Sequence, residues 1–223
     1  MRLLNIKSER GFTLTELMIA MVLTGLVMSV VYSTYYSQQK SATVQEQVSG
    51  MQQNLRMAMY YMESEIRMAG YDPRGTAGAG IQTPNANTIR FTMDIAGDPG
   101  TGDGDGVLDD PGEDVTYVLY DADGDGDNDL GRDTGAGNVL FAENIDALNF
   151  IYLDAENNVT GNLNEIRSVQ ISVVARTGQG DPGYTNNEVY QNQVPATIYS
   201  GGGDNFRRKL LTAQVKCRNL GLD

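Results

Sequence analysis

The feature that most constrains this chain is the run FTLTELMIAMVLTGLVMSVVY, residues 12–32, in which Glu16 is the only charged side chain. As a helix rising about 1.5 Å per residue, such a run is roughly 30 Å long, the thickness of a bilayer's hydrocarbon core. Arg2, Lys7 and Arg10 precede it. This short basic stretch is of the kind retained on the cytoplasmic side, which places the C-terminal bulk outside. No small-residue cleavage site follows the apolar core, so the pattern is that of a single span rather than an ordinary secretory signal.

One carboxylate inside an apolar span needs a reason, because an unpaired charge in hydrocarbon costs several kcal/mol. The sequence RGFTLTELMIAMVL around it resembles the class III leader of type IV pilins and type II secretion pseudopilins. The resemblance rests on a short basic leader ending in Gly11, on Phe12 after it, and on Glu16 as the fifth residue from Phe12. It implies that a prepilin peptidase cuts between Gly11 and Phe12 and methylates the new amine. Residues 1–11 are then a cleaved leader. Glu16 gains a natural partner, the positive α-amine of Phe12 in the same or a neighbouring subunit, and the pairing sets axial register during assembly.

Beyond Tyr32 the helical pattern continues. Val44, Val48, Met51, Leu55, Met59, Met62 and Ile66 recur at steps of three and four, which keeps one face apolar. Gly70 is placed to cap the C-terminus and Pro73 prevents resumption. The expectation is one helix over 12–69, with 12–32 as its membrane and assembly half. The Met/Leu stripe is read as core packing against the chain's own domain.

Residues 70–223 read as a β-rich outer domain. Segments 88–94, 115–120, 145–154, 166–176 and 210–219 carry the β-branched and aromatic enrichment of strands. Val169, Ile171 and Val173 alternate with Ser168, Gln170 and Ser172, and Leu211, Ala213, Val215 and Cys217 alternate with Thr212, Gln214, Lys216 and Arg218. These patterns predict an α+β fold, a long helix under one face of an antiparallel sheet, with Cys217 a buried structural thiol. The Gly-rich tract 75–87 is expected to be a loop.

The segments VQEQVSGMQQNLRMAMYYMESEIRMAGYDP, YDADGDGDNDLGRD, AENIDALNFIYLD and FRRKLLTAQVKCRNLGL are similar to the large minor pilins of the PilW type, relatives of the J-type pseudopilin. The resemblance covers most of the chain after the leader. It implies the type IV pilin fold and a low-abundance subunit of the complex that primes filament assembly, with other major and minor pilins, the prepilin peptidase and the bacterial inner membrane as partners, and an extracellular pilus as the destination.

Formal charge is −13, and −15 once residues 1–11 are removed, which disfavours nonspecific binding to DNA or anionic lipid. With a single cysteine there is no intrachain disulfide to brace an exterior domain. No specific nucleic-acid partner is expected. The basic triplet Arg207, Arg208 and Lys209 is read as pairing with local acids. The chain has no histidine, no G-x-S-x-G and no phosphate-binding glycine loop, so no enzyme is expected.

The most chemical-looking stretch is DADGDGDND. Asp121, Asp123, Asp125, Asp127 and Asp129 alternate as in a calcium loop, with Gly126 at the sixth position for the turn. Arg132 stands where the loop's bidentate acid belongs. Calcium is the expected cation here, because crowded carboxylates repel unless one neutralises them. A second acidic run, 102–114, lies across the strand 115–120, roughly 20 Å away at about 3.3 Å per residue. A weaker site, or none, is expected there at Asp103, Asp105, Asp109 and Asp110. Alongside the minor-pilin reading stand two alternatives, a type II secretion minor pseudopilin and a tip-displayed, calcium-dependent adhesin or uptake receptor.

Overall fold

Helix α1 spans Leu14–Met68, and its start is set by its own first residues. The computed structural model describes residues 11–98, 100 and 103–221, so the expected leader lies outside the described residues apart from Gly11. Thr13 caps α1: its hydroxyl accepts the Glu16 amide at 3.3 Å, while the Glu16 carboxylate accepts the Thr13 amide at 2.8 Å. This is a reciprocal capping box, T-x-x-E. The helix ends one residue before the expected Ala69. Gly70 follows with φ +80° and donates its amide to the Thr92 carbonyl.

Two compact units divide the chain between Glu46 and Gln47. The first is helical and, over its described residues, exposed almost throughout. It is long and apolar enough to cross a membrane, with a mean hydropathy of 2.1 over the best window. Its hydroxyls turn inward on the helix. Thr24 donates to the Ala20 carbonyl and Ser29 to that of Leu26, so neither presents an unmet donor to a surrounding apolar phase.

In the second unit Met51, Leu55, Ala58, Met59, Met62 and Ile66 are buried, the stripe that the spacing predicts. They share one core with Ile89, Phe91, Val115, Tyr117, Leu130, Ile145, Phe150, Ile171 and Val173. The strands are antiparallel but form three sheets rather than one. Strands β1 (Ile81–Pro84), β2 (Ile89–Thr92), β3 (Asp114–Tyr120), β4 (Asp129–Asp133) and β5 (Val139–Ala142) lie in that order in the first. Strands β6 (Ile145–Leu153), β7 (Ser168–Arg176) and β10 (Arg208–Lys216) form the second, with β7 central. Strands β8 (Val189–Gln191) and β9 (Thr197–Ser200) form a ribbon.

Five strands have no counterpart in the sequence reading. β4 is DLGRD, whose composition is that of a turn, and β1 lies inside the tract 75–87 expected to be a loop. Partner strands supply the ladder bonds that intrinsic preference does not. The alternation in β7 holds for Val169, Ile171 and Val173, but its other face is covered too. Val174 is fully buried with Ala147 and Tyr190, so Ser168 and Ser172 are also buried.

Between α1 and the first sheet, Glu65 accepts the Tyr117 hydroxyl at 2.5 Å and both Arg132 Nε at 3.1 Å and Nη2 at 2.7 Å. Burial and then the Glu65 hydrogen bond push the Tyr117 phenol well above its ordinary value. At the helix exit, a methyl at Gly70 would meet Leu220 Cδ2 at 2.4 Å in addition to its positive φ. Gly70→Ala is expected to cost about 1–3 kcal/mol, read as a lower denaturation midpoint.

Candidate functional site

Two regions have functional chemistry, the N-terminal end of α1 and the acidic loops flanking β3. At the first, a Cβ on Gly11 would meet nothing within 4 Å, so local packing does not call for glycine there. Phe12 is 91% exposed. Glu16 is exposed as well, and its carboxylate is held by both the amide and the hydroxyl of Thr13, each at 2.8 Å. The capping box was visible as T-x-x-E and gives Glu16 a second, local role that the charge argument alone misses. Its second oxygen has no hydrogen bond within the chain among the described residues, so the side chain can cap its helix and still face a partner charge.

The expected five-aspartate loop is divided by the structure. Asp121, Asp123 and Asp125 come together, with one oxygen of each within 4.8 Å of the others, and all three are exposed. They are arranged by side-chain turns: Asp121 accepts the amides of Gly124 and Gly126, Asp123 that of Asp125, and Asp125 that of Asp127. Asp127 instead pairs with Arg176. Asp129 is buried in β4, where its two oxygens accept the amides of Ala122 at 3.2 Å and Asn144 at 2.8 Å. Arg132, at the position of the loop's missing acid, is committed to Glu65. Three of the five aspartates are thus free to share a cation here.

At the opposite end of β3, Asp105, Asp109 and Asp110 form a second trio whose oxygens also lie within 4.8 Å. Glu113 shapes this loop from inside. It is fully buried and accepts the amides of Ile95 at 2.9 Å, Ala96 at 3.1 Å and Asp110 at 3.0 Å. Burial, then the charges of Glu113, Asp109, Asp105 and Asp94, raise the Asp110 carboxyl above its ordinary value. Exposed acidic clusters of both kinds can hold a hard cation.

Two members of the basic triplet, Arg207 and Arg208, are used internally. Arg207 pairs with Asp181 at 2.8 Å and stacks on Tyr184. Arg208, with only 1% of its side chain exposed, lies between Asp146 at 2.5 Å and Asp204 at 2.6 Å, over the Tyr199 ring. Arg208 holds the Asp204 carboxyl below the usual range. These partners are 62 and 4 residues away in sequence from Arg208, and only the nearer was legible from spacing.

The described residues combine an apolar helix with a capped, acid-bearing start and, further along the same helix, a stripe packed against antiparallel sheets. Comparison with known families makes this specific. The prokaryotic N-terminal methylation motif matches residues 6–32, and the type IV pilus-assembly protein W family matches residues 120–219. The chain thus carries a prepilin methylation motif at its N-terminal end and a region similar to the PilW family in its outer domain. The motif implies processing by a prepilin peptidase and assembly with other pilins, and the helix behind it is consistent with inner-membrane anchoring. Pilins of this family are structural, not enzymatic. Among solved structures, a type IV-like pilin from Thermus thermophilus is similar at 13% identity, over 76% of this chain and 97% of that one, with a TM-score of 0.47. No curated protein matches the chain.

Cys217 is buried, and burial pushes its thiol up to about 12. At pH 8 the native protein is therefore expected to resist labelling by a thiol-specific disulfide reagent, with stoichiometric release only after denaturant is added.

Proposed function

We propose that this chain is a minor type IV pilin that enters the pilus, or the complex that initiates it, through helix 12–32 after cleavage between Gly11 and Phe12. The observation that carries this reading is the presence in one chain of the methylation motif at 6–32 and the PilW region at 120–219. The match to a pilus-assembly family favours the pilus over a type II secretion system. Pairing of Arg207 and Arg208 with Asp181, Asp146 and Asp204 leaves little of the basic triplet for a DNA-uptake role.

In this mechanism the uncut basic leader holds the span in the inner membrane. Cleavage leaves a positive amine on Phe12, four residues before Glu16. The Glu16 charge then favours the one axial offset at which it meets the amine of a neighbouring subunit. An incorrect offset leaves both charges unpaired in an apolar bundle, at a cost of several kcal/mol.

Two outcomes are expected. Mass spectrometry of assembled material should find a chain beginning at N-methyl-Phe12, and an intact leader in that fraction would exclude the processing step. Glu16→Gln retains an oxygen for the Thr13 amide but drops the charge. Both Glu16→Gln and Glu16→Ala should insert in the membrane normally yet fall in the sheared pilus fraction by at least about tenfold, the equivalent of 1.4 kcal/mol. Wild-type incorporation of the Gln variant would assign Glu16 to helix capping alone.

A further inference from the structure

Asp94 lies just after β2, is fully buried, and one of its carboxylate oxygens, Oδ1, has no hydrogen-bond partner among the described residues. The other oxygen accepts the Gly106 amide at 2.9 Å. A buried carboxylate with an orphaned oxygen is expensive, and such groups ordinarily meet a partner, a water or an ion. The contrast with Glu113 is direct. That carboxylate is equally buried in the same loop, and both of its oxygens are taken up by backbone amides.

The orphaned oxygen belongs to a crowd of acids. Gly97 and Gly104 face each other as an isolated antiparallel bridge. A Cβ at Gly104 would sit 2.3 Å from Asp94 Oδ1, and a Cβ at Gly97 would sit 2.7 Å from Asp105 Oδ2 and 2.6 Å from Asp110 Oδ2. Three carboxylates therefore press on one pair of bridged glycines, where any larger residue would fill the space they use. Asp109 joins Asp105 and Asp110 within 4.8 Å, the span of two opposed oxygens around a calcium ion at about 2.4 Å from each. Arg74 approaches the loop, but its guanidinium is engaged by Asp98 and by the Gly104 carbonyl at 3.1 Å.

We infer that the loop between β2 and β3 is a calcium site, with Asp105, Asp109 and Asp110 as ligands and the buried Asp94 carboxylate as the fourth negative charge facing it. The site does not depend on the helix's role in a filament. It also differs from the loop at Asp121, Asp123 and Asp125, where every aspartate is exposed and none carries a buried orphaned oxygen. The Asp94 amide donates to the Tyr71 carbonyl at 2.7 Å, three residues past the end of α1, and the Met93 amide donates to the Glu113 carbonyl. A cation bound here ties the helix exit to the edge of β3 and acts as a folding ligand for the outer domain.

The test uses the full chain in detergent micelles, with calcium chloride, magnesium chloride and chelator as the probes. Thermal melting should rise by several degrees from chelator to 1 mM calcium and by less in equal magnesium. Terbium luminescence excited through tyrosine should report direct binding and be displaced by calcium. Asp109→Asn, at an exposed position, should keep the far-ultraviolet circular dichroism and weaken calcium binding by at least about tenfold. Asp94→Asn keeps an acceptor for Gly106 but removes the buried charge. It should melt higher than wild type in chelator and gain less from calcium, a crossover that a merely structural aspartate does not produce. Asp123→Asn should leave calcium binding unchanged. No calcium effect on the wild type, wild-type affinity in both Asp109→Asn and Asp94→Asn, or loss of binding in Asp123→Asn overturns the assignment.

Discussion

Burial of one stripe of α1 against the sheets is the interaction on which the outer domain depends. Met51, Leu55, Met59, Met62 and Ile66 occupy successive turns, and each apolar side chain of that size removed from water contributes roughly 1.5–3 kcal/mol. No disulfide assists, because the single cysteine is itself part of this core. The two larger sheets both contribute to it, through Phe91, Tyr117 and Leu130 on one side and Phe150, Ile171 and Val173 on the other. Glu65 then removes the freedom of the helix to slide or rotate on the first sheet, since Tyr117 on β3 and Arg132 on β4 both bind the same carboxylate. A polar clamp of this kind contributes direction more than energy.

Charge is handled differently in different parts of the molecule. Around the second sheet four acids have an arginine: Arg176 with Asp127, Arg207 with Asp181, and Arg208 with Asp146 and Asp204. Arg208 stacks on aromatic rings as well, so its guanidinium is buried with its charge met and its faces covered. The loops at the two ends of β3 have an excess of acid over base. In one, Asp121, Asp123 and Asp125 stay in water. In the other, folding buries Asp94 and Glu113 and crowds three more carboxylates beside them. Unmet buried charge at that loop is the molecule's clearest departure from self-sufficiency.

Much of the architecture was legible because it follows from short-range pattern. The 3.6-residue spacing of Val48 to Ile66 marked the buried face of α1, Gly70 its end, and the alternation in residues 168–176 and 211–217 two neighbouring strands of one sheet. The other strands, β1, β4, β5, β8 and β9, are only three to five residues long, too short for a period of two to stand out. In β4, DLGRD, the extended form comes from the neighbouring ladders rather than from its own side chains. The aspartates of 121–129 divide for a reason that spacing does not contain: they look equivalent in sequence, yet Asp121, Asp123 and Asp125 stay together while Asp129 is drawn into β4 and Asp127 toward Arg176, 49 residues away.

By itself the sequence determined the parts whose physics is local. The apolar run 12–32, its lone acid at Glu16, the T-x-x-E cap and the helical periodicity beyond it each act within one or two turns of helix, so spacing alone specifies them. Only the tertiary structure decided which charges meet. Pairing Arg132 with Glu65 or Arg208 with Asp146, dividing the aspartates of 121–129, and burying Asp94 beside Asp105 and Asp110 all join residues far apart or on opposite sides of a turn. Coulomb and desolvation energies depend on distances that no linear spacing contains.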